Sequence, residues 1–354
     1  MMLTSADVLE KWQEIKAKEP RARTVDIAKK LEISEGELLR SAVGNGVIEL
    51  TNDWSELFSG ISTLGRVMGL TRNKYAVHER KGTYPKASFF HGMQMGQLVD
   101  PDIDLRLFPG NWKRAFALSE VKDLGLRPSI HLYNNEGQAV HKVILLEESN
   151  WENWEKFCQT HRLNETGSGT VFETEKFSNE NGEKKVEATA DEVRKAWSEL
   201  KDTHDFFGLL SRFKLSRREA FVLAGEKFAQ KVETSTVENL LRAVSAGNTT
   251  FMVFVGNRGL LQIHTGKAIN IVELEDWINV MDEAFNLHLM RSAIQEAWVI
   301  RKPTRDGQVT SLEVFDKDGN DMVTFFGPRK PGQAEDQEWR KVLGEVTGVP
   351  VCVE

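Results

Sequence analysis

The stretch AKKLEISEGELLRSAV, residues 28–43, recurs in altered form as AQKVETSTVENLLRAV, residues 229–244, at a constant offset of 201. A second pair, DLRLFPGNWKRAFAL from Asp104 and NLHLMRSAIQEAWVI from Asn286, aligns at an offset of 182. Both periods are far longer than the roughly 20 to 50 residues of solenoid repeats. The chain is therefore predicted to contain a duplicated domain, with an insertion of about 19 residues in the first copy to account for the two offsets.

A polar stretch separates the two copies. Residues 164–190 read NETGSGTVFETEKFSNENGEKKVEATA and have the Gly, Ser, Glu and Lys content of an exposed linker. We predict an N-terminal repeat over residues 1–163, a linker over residues 164–190 and a C-terminal repeat over residues 191–354.

Each copy begins with helical patterns and continues with strand patterns. Ser34 with Glu37, and Ser216 with Glu219, have the capping-box spacing of a helix start. Apolar runs around Asn-Arg-Gly, Asn-Glu-Gly and Asp-Gly-Asn then indicate strands joined by turns. Helices followed by consecutive strands predict an α+β fold, with N-terminal helices and a large antiparallel sheet in each half.

The composition excludes several classes of protein. The 354 residues are 40% hydrophobic and 28% charged, without an apolar run of about 18 residues that could span a bilayer. The two cysteines, Cys158 and Cys352, cannot form a disulfide framework or a CxxC zinc site. The N-terminus lacks the pattern of a secretory signal, so we expect a cytoplasmic protein. A net charge of −7 disfavours broad nucleic-acid binding, and no P-loop, GxGxxG, GxSxG or HExxH motif is present.

His204 stands out in KDTHDFFGLLSRF, residues 201–213. An apolar stripe at helical spacing through Val193, Trp197 and Leu200 predicts that His204 faces the core. A hydrogen-bonded core histidine is one reading. The other is a ligand site, because Gly208 one turn later leaves space and Phe207 supplies a flat aromatic wall. A neutral imidazole in an apolar pocket is the usual axial ligand of haem iron.

Arg106 is a second candidate. The period of two in DIDLRLF places Ile103, Leu105 and Leu107 on one face of a strand and Asp104, Arg106 and Phe108 on the other. The arginine either lies on a solvated face or meets a ligand or carboxylate. Three further basic residues, Arg217, Lys302 and Arg329, are either solvated surface or cations for a dianionic ligand.

Two other patterns allow different functions. TVDIAKKLEISEGELLRSAVG, from Thr24, resembles a helix-turn-helix, although Glu35 and Glu37 would meet DNA phosphates with the wrong charge. His78 and His264 lie in strand patterns, where they are either structural residues or secondary ligands.

The segments DTHDFFGLLSRFKLSRREAF, VFVGNRGLLQIHTG, WVIRKPTRDGQVTSLEVF, TRNKYAVHE and DIDLRLF resemble one known family. They are similar to the bacterial cytoplasmic haemin-degrading and haem-transport factors of iron-uptake operons, the HemS/ChuS type. The resemblance covers nearly the whole chain and implies two similar α+β halves that bind one haem b. It implies His204 as the axial iron ligand, Arg106 at the opposite haem face with Phe108 beside it, and pocket or propionate contacts from Arg217, Phe254, Lys302 and Arg329.

One position departs from the family pattern. Members often have a tyrosine before the glycine in the segment that corresponds to TFFGPRK, where this chain has Phe326. A hydroxyl group that could donate a hydrogen bond in the pocket is therefore absent.

The resemblance implies a role in iron acquisition. The leading hypothesis is oxidative degradation of haem with an external electron donor, in which Arg106 stabilises negative charge. The alternative is a non-catalytic haem chaperone, and a minor alternative is a DNA-binding regulator. The implied partners are haem, an external reductant, an inner-membrane haem transporter or downstream haem oxygenase, and a second copy in a homodimer, without nucleic acid.

Overall fold

The computed structural model describes residues 4–90, 92–163, 172, 188–329 and 332–351. The first half contains five helices and nine strands among the described residues. The helices are α1 (Ser5–Lys18), α2 (Thr24–Lys30), α3 (Glu35–Ser41), α4 (Trp54–Ile61) and α5 (Trp151–Thr160). The strands are β1 (Val47–Leu50), β2 (Gly65–Arg72), β3 (Ala76–Thr83), β4 (Ser88–Phe90), β5 (Met95–Leu98), β6 (Asp104–Leu107), β7 (Arg114–Leu118), β8 (Ser129–Tyr133) and β9 (Ala139–Ser149).

The described part of the second half repeats this succession. Its helices are α6 (Ala190–Ser198), α7 (Asp205–Phe213), α8 (Arg217–Ala224), α9 (Thr236–Ala246) and α10 (Gln337–Thr347). Its strands are β10 (Ala229–Val232), β11 (Phe251–Gly256), β12 (Leu260–Gly266), β13 (Ile271–Leu274), β14 (Trp277–Met281), β15 (Phe285–Met290), β16 (Glu296–Thr304), β17 (Gly307–Phe315) and β18 (Asp321–Phe326).

The strands confirm the predicted α+β class with two large antiparallel sheets. In the first half, neighbouring strands follow the order β1-β7-β8-β9-β2-β3 in one run and β6-β5-β4 in another. The second half has the runs β10-β16-β17-β18-β11-β12 and β15-β14-β13. The two orders correspond strand by strand, so the predicted internal duplication is confirmed.

The alignment of residues 28–43 with residues 229–244 was wrong in register. Ala28 lies in helix α2, whereas Ala229 begins strand β10. The equivalent of β10 is β1, which begins at Val47, so the offset there is 182 and no 19-residue insertion is needed. The error arose because leucines at helical spacing match one amphipathic helix about as well as another.

The capping boxes identify the correct register. Ser34 precedes α3 and accepts a hydrogen bond from the backbone of Glu37. Ser216 precedes α8 and does the same for Glu219, and the two serines are 182 residues apart. Both boxes satisfy backbone N–H groups that the first turn of a helix leaves without an internal partner.

The chain divides into two compact units. The first comprises the described parts of residues 1–72, 78–177 and 256–262, and the second those of 73–77, 178–255 and 263–354. Most of the predicted linker lies outside the described residues, so its boundaries stay a prediction. No helix of the described chain is both long and apolar enough to cross a membrane.

Helices α2 and α3 are part of the core of the first unit. Leu38 and Leu39 are fully buried there together with Trp12 of α1. Glu35 is also buried, and its carboxylate forms ion pairs with Arg72 and Lys142. Because α3 also buries Glu35 and Gly36 of its first turn, it presents little of the surface that a recognition helix needs, which disfavours the helix-turn-helix interpretation.

In the second unit, the helices cover one face of a sheet. Helices α6, α7 and α8 pack their apolar residues, among them Trp197 and Phe206, against Trp298 and Ile300 of β16. The alternate residues of that strand, such as Val299, join the core on the opposite face. This alternation positions the side chains of the candidate site.

Candidate functional site

His204 lies at the N-cap of α7 and is exposed, which corrects the predicted inward orientation. Its side chain is 82% exposed, and that of Phe207 is also exposed. Val193 and Trp197 are buried as predicted, but α6 ends at Ser198 and α7 begins at Asp205. The intervening turn resets the helical phase, so a stripe drawn across it cannot predict which residues face the core.

Aspartates build this turn. Oδ2 of Asp205 accepts hydrogen bonds from the backbone N–H groups of Lys201 and Asp202, both at 3.0 Å. Oδ1 of Asp202 accepts the backbone N–H of His204 at 2.8 Å and lies 2.5 Å from Nδ1 of its ring. The backbone N–H of His204 is the first cause of the lowered pKa of Asp202. The turn therefore holds the imidazole through Nδ1, and the lone pair of Nε2 is the one that can meet a ligand.

The first turn of α7 presents a flat, open surface. His204, Phe207 and Gly208 occupy positions i, i+3 and i+4, which lie on one side of a helix. All three are exposed, and a Cβ atom added to Gly208 would meet no other atom within 4 Å. Phe206 points the other way, and its ring centroid lies 4.9 Å from that of Trp197 in the core. The exposed side can accommodate a planar molecule.

A buried ionic cluster underlies Phe206. Arg217 and Lys302 both form ion pairs with the fully buried Glu313, with the Lys302 Nζ to Glu313 Oε1 distance at 3.0 Å. Burial by itself would raise the pKa of Glu313, but the two cations outweigh it and lower that pKa to about 2. Nζ of Lys302 also lies 4.5 Å from the centre of the Phe206 ring. Arg217 and Lys302 thus converge, but on a carboxylate of the chain itself.

Phe254 and Phe326 lie on the same sheet face as this cluster. Thr324 of β18 is opposite both Glu313 of β17 and Phe254 of β11, and residues directly opposite one another project to the same face. Phe326 is two residues beyond Thr324, so it shares that face too. The ring centroids of the two phenylalanines are 4.9 Å apart at an angle of 64°. Both rings are half-buried and form an apolar patch on this face.

Arg329 lies next to the turn that holds His204. Its Nη2 is 3.4 Å from Oγ1 of Thr203, and its charge contributes to the lowered pKa of Asp202 after the hydrogen bonds from His204. The predicted residues of the second unit therefore fall into three places: Arg329 beside the turn, Arg217 and Lys302 on Glu313, and the phenylalanine pair on the sheet.

Arg106 and Phe108 belong to the first unit. The predicted alternation of β6 is confirmed, because Leu105 and Leu107 are fully buried and Arg106 and Phe108 are half-buried. Arg106 forms an ion pair with Asp104, and its Nη1 donates a hydrogen bond to the carbonyl oxygen of Leu105 at 3.2 Å. Burial raises the pKa of Asp104.

His78 and His264 are core residues. Their side chains are 0% and 3% exposed, and the ring of His264 stacks on Phe285 with centroids 3.6 Å apart. The described residues contain no group of three or more His, Cys, Asp or Glu side chains that could hold a metal ion. Of these three histidines, only His204 offers an exposed imidazole.

Asp202 and Glu313 were missed by the sequence predictions. Glu313 carried a signal, because it is a lone acid in the apolar strand TSLEVF and such a charge is rarely buried without partners. For Asp202 the only signal in the sequence was its spacing of two residues from His204, and an aspartate at that spacing is common to many turns.

Comparison with known proteins gives a consistent assignment. The family described as "Haemin-degrading HemS.ChuX domain" matches residues 32–161 and again residues 214–346. The two matches begin 182 residues apart, which is the offset of the structural repeat. "Hemin transport protein HmuS" of Yersinia pestis is 36% identical over 345 residues, covering 97% of this chain and 98% of the relative.

Two solved structures are similar over nearly their whole length. Holo-PhuS, "a heme-binding protein from Pseudomonas aeruginosa", has a TM-score of 0.91 and 40% sequence identity, covering 96% of this chain and 98% of the other. ChuS, "an E. coli Heme Oxygenase", has a TM-score of 0.85 and 32% identity, covering 96% and 99%. With the family matching both halves and relatives of this identity aligning end to end, the chain belongs to the haemin-degrading HemS/ChuX-domain family.

Proposed function

We propose that the chain binds haem and that Nε2 of His204 is the axial ligand of the iron. The observation that carries this proposal is the state of the His204 ring, which is exposed and is held through Nδ1 by Asp202. A carboxylate on Nδ1 is the usual second partner of a metal-binding histidine, because it selects the tautomer with its lone pair on Nε2. Phe207 and Gly208 beside it leave room for a flat macrocycle. The relative PhuS, described as a heme-binding protein, supports haem as the molecule bound.

Other residues of the second unit suit the rest of a haem molecule. Phe254 and Phe326 supply apolar surface for a tetrapyrrole. Arg329 beside the turn is the cation that we assign to a propionate. Arg217 and Lys302 share Glu313 and also interact electrostatically with the carboxyl of Asp321, so most of their charge is compensated within the chain.

The reaction that we propose is the oxidative opening of haem to release iron in the cytoplasm. Haem supplies the redox-active centre, while dioxygen and an external electron donor are the other reactants. In this role the chain orients haem through His204 and restricts water through the aromatic patch. Arg106, with Phe108 beside it, is proposed from the family resemblance to stabilise negative charge during oxidation. The relative ChuS, described as a haem oxygenase, supports this reaction.

The second candidate is a haem chaperone. A side chain that is 82% exposed is accessible to a delivering or receiving protein, which favours transfer. In this role the chain accepts haem from an inner-membrane transporter and passes it to a separate haem oxygenase. The relative HmuS, described as a hemin transport protein, supports it.

The ligand assignment is tested with His204→Ala. Haem titration followed by the Soret band should show a shifted band and weaker affinity for this variant. His288→Ala is the matched control, since His288 is a half-buried strand histidine bonded to Asn279. If His204→Ala and the control bind haem with the same spectrum and affinity as the unaltered chain, His204 is not the ligand.

Degradation is separated from delivery by a turnover experiment. The haem complex is mixed with an electron donor and oxygen in the presence of catalase, which removes free peroxide. Loss of the Soret band with formation of an open-chain tetrapyrrole indicates the enzyme. An unchanged spectrum, together with transfer of haem to apomyoglobin, indicates the chaperone.

A further inference from the structure

Asp202 makes two contacts with His204 through a single oxygen. Its Oδ1 accepts the backbone N–H at 2.8 Å and lies 2.5 Å from Nδ1 of the ring. These contacts connect the carboxylate to both the main chain and the imidazole of one residue, so the ring has little freedom to rotate about χ1 and χ2. Asp205 fixes the position of Asp202 by accepting its backbone N–H. The imidazole is therefore oriented before any ligand arrives.

The contact also selects the tautomer. An ionised carboxylate only accepts hydrogen bonds, so the proton of the neutral ring resides on Nδ1. A carboxylate in this position makes Nε2 a stronger electron donor, because it draws the Nδ1 proton toward itself and gives the imidazole ring partial anionic character. Stronger donation stabilises the higher oxidation state of a bound metal.

Burial by the ligand amplifies this effect. The Asp202 side chain is 51% exposed, so water and salt screen its charge in the ligand-free chain. A macrocycle lying over His204 and Phe207 would exclude water from the pair. The Coulomb interaction between carboxylate and iron would then strengthen as the local dielectric constant falls.

We propose that Asp202 is a positioning residue that orients His204 and sets the relative affinity of the site for ferric and ferrous haem. This inference rests on the proposed role of His204 as the axial ligand. It goes beyond that role by assigning a named group to the control of the iron's oxidation state. Favouring ferric haem retains the cargo until a reductant acts.

Three substitutions separate charge from geometry. Asp202→Asn keeps an oxygen that can accept from Nδ1 but removes the charge, Asp202→Ala removes both, and Asp202→Glu keeps the charge on a longer side chain. Asp191→Asn is the matched control, because Asp191 is an exposed aspartate of the same unit whose side chain is 94% exposed. Circular dichroism and thermal unfolding establish that each variant is folded.

The first measurement uses the ligand-free chain. Nitrogen NMR of the His204 ring, at a pH where the ring is neutral, should report the Nδ1–H tautomer in the unaltered chain and in Asp191→Asn. Asp202→Ala should give a mixture of tautomers. If the folded Asp202→Ala variant keeps the same tautomer, Asp202 does not orient the ring and the proposal is overturned.

The second measurement uses the haem complex. In Asp202→Asn and Asp202→Ala the ratio of ferric to ferrous affinity should fall about tenfold, a rise in reduction potential of about 59 mV for one electron. The iron–histidine stretching frequency should fall as well, and Asp202→Glu should recover part of both changes. Unchanged potential and frequency in folded Asp202 variants would overturn the proposal.

The two proposals fail in different ways. If His204→Ala leaves the haem spectrum unchanged, the ligand assignment fails and the proposal for Asp202 fails with it. If His204→Ala alters the spectrum but the Asp202 variants match Asp191→Asn in tautomer and potential, only the present inference fails.

Discussion

Nζ of Lys302 lies 3.0 Å from Oε1 of Glu313, and both side chains are almost completely buried. The contact joins two neighbouring strands, β16 and β17, beneath helix α7, whose N-cap is His204. Because Lys302 also lies over the ring of Phe206, the ion pair connects the sheet to the first turn of α7. The stability of this cluster and the geometry of the proposed haem site are therefore linked.

Neutralising Glu313 should destabilise the fold. Glu313→Gln removes the carboxylate that pairs with the buried Lys302 and the half-buried Arg217, and breaking a buried ion pair from one side costs about 3 kcal/mol or more. Urea unfolding should show a lower midpoint. Glu226→Gln, at an exposed position, should change the free energy of unfolding by less than about 0.5 kcal/mol. Equal stabilities of the two variants would show that the cluster contributes nothing.

Stability should fall in acid because of the same carboxylate. The pKa of Glu313 is lowered from 4.5 to about 2 by Arg217 and Lys302, which outweigh burial. Since the folded chain holds this proton less tightly than the unfolded chain, the stabilisation is present above about pH 4.5 and is lost as pH falls toward 2. Urea midpoints measured across this range should fall less steeply in Glu313→Gln than in the unaltered chain. If the urea midpoints of the two proteins fall in parallel with pH, Glu313 is not the source of the acid sensitivity.

The two serines of the capping boxes should be equivalent in energy. Ser34→Ala and Ser216→Ala each remove a side-chain acceptor at a helix start, at a cost of about 1 kcal/mol. Ser235 is the control that tests the register, because the rejected alignment pairs it with Ser34 and its side chain makes no capping hydrogen bond. Ser235→Ala should cost less than about 0.5 kcal/mol. A cost equal to that of Ser34→Ala would argue against the register at 182.

Substitution of Phe207 should weaken haem binding, whereas substitution of the adjacent Phe206 should destabilise the fold. Phe207 is 61% exposed beside His204, so Phe207→Ala should leave stability nearly unchanged while haem affinity falls about tenfold, or about 1.4 kcal/mol. Phe206 is 1% exposed in the core, so Phe206→Ala should cost about 3 to 5 kcal/mol of stability.

Val222→Ala, also at a 61% exposed position, is the control for haem affinity. If Phe207→Ala and Val222→Ala bind haem equally well, Phe207 is not part of the site. If Phe206→Ala is as stable as Phe207→Ala, the described packing of α7 is wrong.

Local periodicity was sufficient for much of the fold. The alternation in DIDLRLF predicted which residues of β6 are buried, because side chains of a strand alternate without reference to distant residues. The capping boxes at Ser34 and Ser216 marked helix starts for the same reason, since each involves residues only three apart. The α+β class followed from these short-range patterns, and the duplication from the recurrence of similar segments at an offset of 182.

The orientation of His204 and the partners of Glu313 were decided only in the tertiary structure. The apolar stripe correctly predicted that Val193 and Trp197 are buried. It failed at His204, because Asp202 and Asp205 form a turn that resets the helical phase and exposes that side chain. Arg217 reaches Glu313 across 96 residues of sequence. By itself the sequence determined the α+β repeat, because that depends on local spacing, whereas the residues of the candidate site were predicted from the resemblance to a family. Only the folded chain decided that the imidazole of His204 is exposed and that Arg217 and Lys302 are paired with Glu313. The direction in which a chain leaves a turn, and an ion pair between distant residues, both depend on packing between segments that are far apart in sequence.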